Sequence, residues 1–329
     1  LVGIFLVFLA VAILDFIPQG TNQGYTAVVR LGIILFAPAI LFQGVITSTN
    51  AVFAQRLQFD RATIAIVFGS VATLTSVGFL VWIGSTSTLG MTIATLVGTG
   101  VTAAAGLWLV RKFIPNLSPV FDFKKLTALF MPAIPLGVTL MVNLVYFRAD
   151  SVILALTRPT AEVGLYGLAY KLFEFPLVFP TFFMNAVYPL LVGVPREKFL
   201  SMTWRSAVFL LGMGIFALLV LWVAAPALVL VRPEFAPGVQ ALRVLSFGLP
   251  FFFLSSLTMW ALIARKQQIM LMGIYVVGMV VNIALNGWLI PVYGYMAAAW
   301  VTVASEGLVL LLSTIILFRT LRESPPVKS

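Results

Sequence analysis

Twenty basic and ten acidic side chains are spread over 329 residues, and a few stand inside apolar runs that lipid would cover. Lys171 and Glu174 lie in GLYGLAYKLFEFP, Arg148 and Asp150 in YFRADSVILAL, Glu306 in TVASEGLVL, and Arg30 in VVRLGIILF at a helix end. A charge at the bilayer centre costs about 2.5–3.5 kcal/mol or more unless it faces protein or water. Lys171 follows Glu162 by nine residues, about 13 Å down a helix. It shares a face with Glu174, three positions on, and Tyr166, Ala169 and Tyr170 flank the pair. Three roles are open to Lys171: a cavity cation for an anionic substrate, half of an ion pair locking two helices, or a chain snorkelling to the surface. Arg148 and Asp150, two apart, do not share a face. Arg148 is then an interfacial anchor, or a cavity cation with Asp150 pairing across to the next helix. Glu306 falls near the middle of its apolar run, where an acid is neutral, paired or relaying protons. Asn282 and Asn286, one turn apart, suit bonds across helices.

The rest of the inventory narrows the chemistry. With no His and no Cys, haem ligation by His, iron–sulfur clusters, thiolate nucleophiles, disulfides and nearly every zinc site are out. The remaining acids, among them Asp15, Asp60, Asp122, Glu197, Glu234 and Glu323, stand at span ends or in loops. No D-x-D pair and no acidic cluster offers the usual Mg²⁺ ligands. No catalytic residue, metal or cofactor is therefore expected. A channel would need a filter segment or a ring of polar residues, and neither is visible. The net charge of +10 comes without a basic stripe interleaved with aromatics, so nucleic acid is not an expected partner. Loops loaded with Lys and Arg explain it better.

These side chains must be held by membrane helices. The chain is 61% hydrophobic and 9% charged, with a mean hydropathy of +1.11, far from the roughly 25% charge of soluble domains. The fold class expected is all-α: a polytopic membrane protein of about ten transmembrane helices. They cover about 1–14, 31–49, 62–83, 89–110, 126–147, 163–192, 206–231, 244–264, 268–290 and 296–318. In the long segment 163–192, Pro180 is expected to kink the helix and Pro189 to end it. Gly98 with Gly100, Gly212 with Gly214, and Gly273 with Gly278 allow close helix approach.

Alternate loops divide the basic residues fourteen to five, from Arg56 and Arg61 to Arg319, Arg322 and Lys328 on one side, against Arg30, Arg148, Arg158, Arg232 and Arg243. The richer side is expected in the cytoplasm, with the C-terminus. The basic loop Arg111–Lys125 separates four helices (1–110) from a six-helix C-terminal bundle and short tail (126–329). Because the chain opens with Leu1 and a short span, two further helices are expected upstream, making six plus six.

Three stretches carry a resemblance. FRADSVILALTRPTAEVGLYGLAYKLFEFP (147–176), VNIALNGWLIPVYGYMAAAWVTVASE (281–306) and AVFAQRLQFDRAT (51–63) resemble the polysaccharide-exporting branch of the multidrug/oligosaccharidyl-lipid/polysaccharide flippase superfamily. The second departs from the family by Met296-Ala297 where Gly-Ala is commoner. The resemblance implies a two-bundle transporter in a prokaryotic cytoplasmic membrane, moving a polyprenyl-diphosphate-linked oligosaccharide to the outer leaflet by alternating access. It implies a cationic cavity between the bundles, with Lys171, Arg148 and Arg30 as its cations and Tyr170 beside them. Glu174, Asp150 and Glu306 become ion-pair or coupling candidates, and Asn282 and Asn286 structural amides. Expected partners are the lipid-linked oligosaccharide, membrane lipids and the polysaccharide assembly machinery. An ion-coupled drug or metabolite antiporter of the same superfamily, or a non-transporting scaffold, are the rival readings.

Overall fold

The computed structural model describes residues 11–12, 25–56, 58–85, 87–114 and 123–323. Most of the first expected span, the middle of the basic loop with Asn116 and both its prolines, and the tail beyond Glu323 lie outside the described residues. Every described element is helical. The helices are α1 (Ala27–Phe36), α2 (Ala39–Gln55), α3 (Phe59–Trp82), α4 (Thr88–Val110), α5 (Phe123–Thr157), α6 (Thr160–Glu174), α7 (Val178–Leu191), α8 (Arg196–Ala224), α9 (Ala227–Val231), α10 (Ala236–Ser246), α11 (Leu249–Ala264), α12 (Gln268–Tyr293) and α13 (Tyr295–Glu323). Among the described residues, seven helical stretches are long and apolar enough to cross a membrane, including α3, α4, α8, α12 and α13.

Several of these helices begin at a proline. Pro159, Pro195 and Pro226 occupy the N-caps of α6, α8 and α9, and Pro38 starts α2 after a break from α1. The first turn of a helix has no acceptor for its N–H groups, so a missing donor costs nothing there. Thr26 and Ser87 cap α1 and α4 by accepting the N–H of Val29 and Gly90. The break in segment 163–192 comes earlier than Pro180. A 3₁₀ turn at Phe175–Leu177, with Pro176 inside it, separates α6 from α7. Pro180 sits in the first turn of α7, where it is tolerated, and Pro189 lies inside the last turn rather than after it. α5 also outruns its expected end near residue 147 and carries Arg148 and Asp150 on continuous helix to Thr157.

The chain divides into two compact units at Leu126/Thr127. In the first, α4 packs against α1, α2 and α3. Gly69 and Gly98 face each other across α3 and α4 so closely that a Cβ on either would strike a threonine and the other's carbonyl oxygen. Thr73 and Thr102 donate to those carbonyls, of Gly69 and Gly98, at 3.0 Å each, so the contact keeps its polar groups satisfied. In the second unit, α11 packs on α7, α8 and α13, while α13 also meets α10 and α12. Gly214 and Gly278 are close approaches there, to Pro250 and to Val309, but their partners Gly212 and Gly273 face open space.

Candidate functional site

The second unit gathers most of the charges singled out above. Glu174, at the end of α6, bonds the Arg148 guanidinium at 2.7 Å through Oε1 and the Lys171 ammonium at 2.8 Å through Oε2. One carboxylate thus answers two cations, brought together because α5 and α6 form a hairpin about Pro159. The Arg148 guanidinium also lies over the Tyr170 ring at 5.5 Å, and the Tyr170 hydroxyl donates to the Phe147 carbonyl. The Lys171 side chain is 69% exposed and that of Arg148 41%, so the cluster is accessible.

Two cavities open beside it. One of about 340 Å³ is lined by Tyr170, Glu174, Phe147 and Thr181. The other, of about 270 Å³, shares Phe147, Leu177 and Thr181 with the first and extends to Ser255, Tyr275 and Glu306. Glu306 is buried, and its Oε2 accepts the Tyr146 hydroxyl at 3.0 Å.

Asp150 is a separate buried acid. It accepts from the Tyr166 hydroxyl of α6 in a short hydrogen bond, from the Ser151 N–H at 2.6 Å, and from the Thr302 hydroxyl of α13 at 3.4 Å. Asp150 therefore joins α5, α6 and α13. On α12, Asn286 donates to Asn282, which donates to Ser305 of α13. Thr302, Ser305, Glu306 and Ser313 recur at spacings of three, one and seven on one face of α13. Each meets a different partner: Asp150, Asn282, Tyr146 and Thr258. Sequence reasoning named Glu306 but missed Thr302, Ser305 and Tyr146. The polar i, i+3, i+4 pattern in TVASE was the available signal.

At one end of this unit, Arg158 grips Glu162 through both Nε and Nη2, the closest contact 2.7 Å. These bonds hold the guanidinium's pKa above its ordinary value. Glu162 also accepts the Tyr295 N–H at 3.2 Å, placing a carboxylate on the N-terminus of α13. The intervening Gly294 has φ +65°, and a Cβ there would run into Glu162 and Arg158. Arg30 stands in the first turn of α1, in the other unit.

The sequence pattern of the polysaccharide biosynthesis protein family matches residues 1–194, well over half the chain. The chain belongs to that family. No curated relative matches it by sequence. Among solved structures, the family member is similar to the lipid II flippase MurJ in an inward closed conformation. The TM-score is 0.76 at 14% identity, covering 97% of this chain and 72% of that one. It is also similar to a multidrug resistance MATE family transporter of the MOP superfamily in an inward-facing conformation. There the TM-score is 0.69 at 12% identity, covering 92% of this chain and 72% of that one. The outward-facing conformation of such a transporter matches at 0.61 and 12%, over 98% and 77%. The fold is thus the all-α, polytopic transporter fold of that superfamily, and the family member is a multi-pass membrane protein.

Proposed function

We propose that this protein translocates a polyprenyl-diphosphate-linked oligosaccharide from the cytoplasmic to the outer leaflet by alternating access, for cell-surface polysaccharide synthesis. The observation that carries this reading is the pairing of two cations, Arg148 and Lys171, on the single carboxylate of Glu174 beside open cavities. The magnitudes favour water around Lys171. An exposed ion pair contributes about 0–1 kcal/mol, too little to offset the roughly 2.5–3.5 kcal/mol or more of a lysine in hydrocarbon. An aqueous path past Lys171 removes that cost. A diphosphate entering the path replaces Glu174 as the partner of both cations, and release returns them to it. The Lys ammonium suits a phosphate that changes position, and the Arg fork one that is briefly fixed. Arg30 is the candidate cation of the first unit. The basic bias of alternate loops places the C-terminus in the cytoplasm.

The test is transport of a fluorescent polyprenyl-diphosphate oligosaccharide into proteoliposomes, normalised to inserted protein. Lys171→Gln is expected to lower flux about tenfold, while Lys171→Arg keeps most of it. Unchanged flux in the Gln variant, or activity restored by making Lys171 and Glu174 both leucine, overturns the substrate contact. A second reading, an ion-coupled antiporter of drugs or metabolites, is favoured by one observation, the buried Glu306 lining a cavity. It expects uptake of an organic cation that Glu306→Gln abolishes and lipid-linked sugar does not inhibit.

A further inference from the structure

In the first unit, Phe113 lies just beyond the end of α4, its ring packed edge-on to Phe53 at 6.5 Å between centroids. Two guanidiniums sit over that ring: Arg61 at 4.7 Å and Arg56 at 5.8 Å. Among the described residues neither arginine has a carboxylate partner. Arg61 Nε donates to Gln58, but its Nη1 is buried and unpartnered, which leaves a strong donor without an acceptor. Arg111 and Lys112 stand next to Phe113 in the chain and are exposed.

An apolar groove of about 510 Å³ runs between α2 and α4 from Leu41 to Val52 and Ile114. Two of its walls, Val52 and Val110, also pack in the small core that contains Phe53 and Phe113, the ring that carries the two arginines, so groove and arginine pair share that core. The stretch Leu41–Val52 is about 16 Å long at the helical rise. That length fits a fatty-acyl chain and is short for a polyprenyl tail.

We propose that this groove and its arginine pair form a binding site for an anionic phospholipid of the surrounding membrane, its phosphate held by Arg56 and Arg61 and one acyl chain lying between α2 and α4. Phosphate oxygens accept from the guanidinium edges of Arg56 and Arg61 that are left open, and the guanidinium forks match them in geometry. The ring of Phe113 attracts both cations and keeps the two guanidiniums together. The site does not depend on what the protein carries, and it lies in the unit without the Glu174 cluster.

The test uses the whole protein in mixed micelles with phosphatidylglycerol bearing a photoactivatable diazirine on its acyl chain, and the matched phosphatidylcholine probe. Wild-type protein is expected to be labelled by phosphatidylglycerol within residues 41–52 or 107–114, with excess unlabelled phosphatidylglycerol competing. Replacing Arg56 and Arg61 together by Gln is expected to lower labelling about tenfold or more, to the phosphatidylcholine level. Gly44→Leu fills the groove at a position where an added Cβ meets nothing within 4 Å, and is expected to reduce labelling with the charges intact. Equal labelling by the two probes, or labelling confined elsewhere, overturns the proposal without any variant. Displacement by millimolar inorganic phosphate would make this a simple anion site. Displacement by polyprenyl diphosphate at a lower concentration than phosphatidylglycerol would give the groove to an isoprenoid lipid; either result overturns the proposal.

Discussion

Glu174 and Asp150 are both acids on the α5–α6 hairpin, yet their surroundings assign them different work. Glu174 is shared by two accessible cations and can exchange them for an incoming anion. Asp150 is 2% exposed and bound to groups on three helices, which leaves it no room to exchange partners. Tyr166→Phe should therefore cost stability rather than substrate recognition. A hydrogen bond between membrane helices contributes about 0.6–1.7 kcal/mol. The expected outcome is a lower melting temperature in detergent with flux per folded molecule retained. A loss of flux at unchanged melting temperature would move Asp150 into the transport path. The spacing of Lys171 and Glu174 made their contact legible in the sequence. Arg148, 26 residues from Glu174, joins them only through the hairpin.

At the level of elements, the α3–α4 contact and the Arg158–Glu162 latch are the most sensitive to substitution. Gly98→Val should separate α3 from α4, because a Cβ there collides with backbone and Thr73, neither of which can move far. The expected loss is about 1–3 kcal/mol, read as a lowered melting temperature, with Gly212→Val as the neutral comparison since it faces open space. Glu162→Gln keeps the shape of the latch but removes the charge facing Arg158 and the start of α13. Amide exchange should then rise at Tyr295 and the residues after it. Unchanged protection there would show that the turn at Gly294 holds itself.

For the whole molecule the expected orientation rests on fourteen basic residues against five in alternate segments. The absence of Cys makes it directly testable. Asn116→Cys should resist an impermeant thiol reagent added to intact cells and react after the membrane is opened. Reaction in intact cells reverses the assignment.

Composition alone determined that this chain lives in lipid, because no fold could hide so much apolar surface from water. Hydrophobic length marked the approximate places of most helices, and the missing His and Cys removed whole classes of chemistry. Helix boundaries were harder to read. Pro176, not Pro180, lies in the break between α6 and α7, since proline is tolerated in a first turn wherever the chain chooses to begin one. Only the tertiary structure decided which polar groups meet: Asp150 with Thr302 across 152 residues, Tyr146 with Glu306 across 160. Such pairs follow from which helix faces pack together, and hydrophobic periodicity in a membrane helix says little about that when lipid and protein are almost equally apolar.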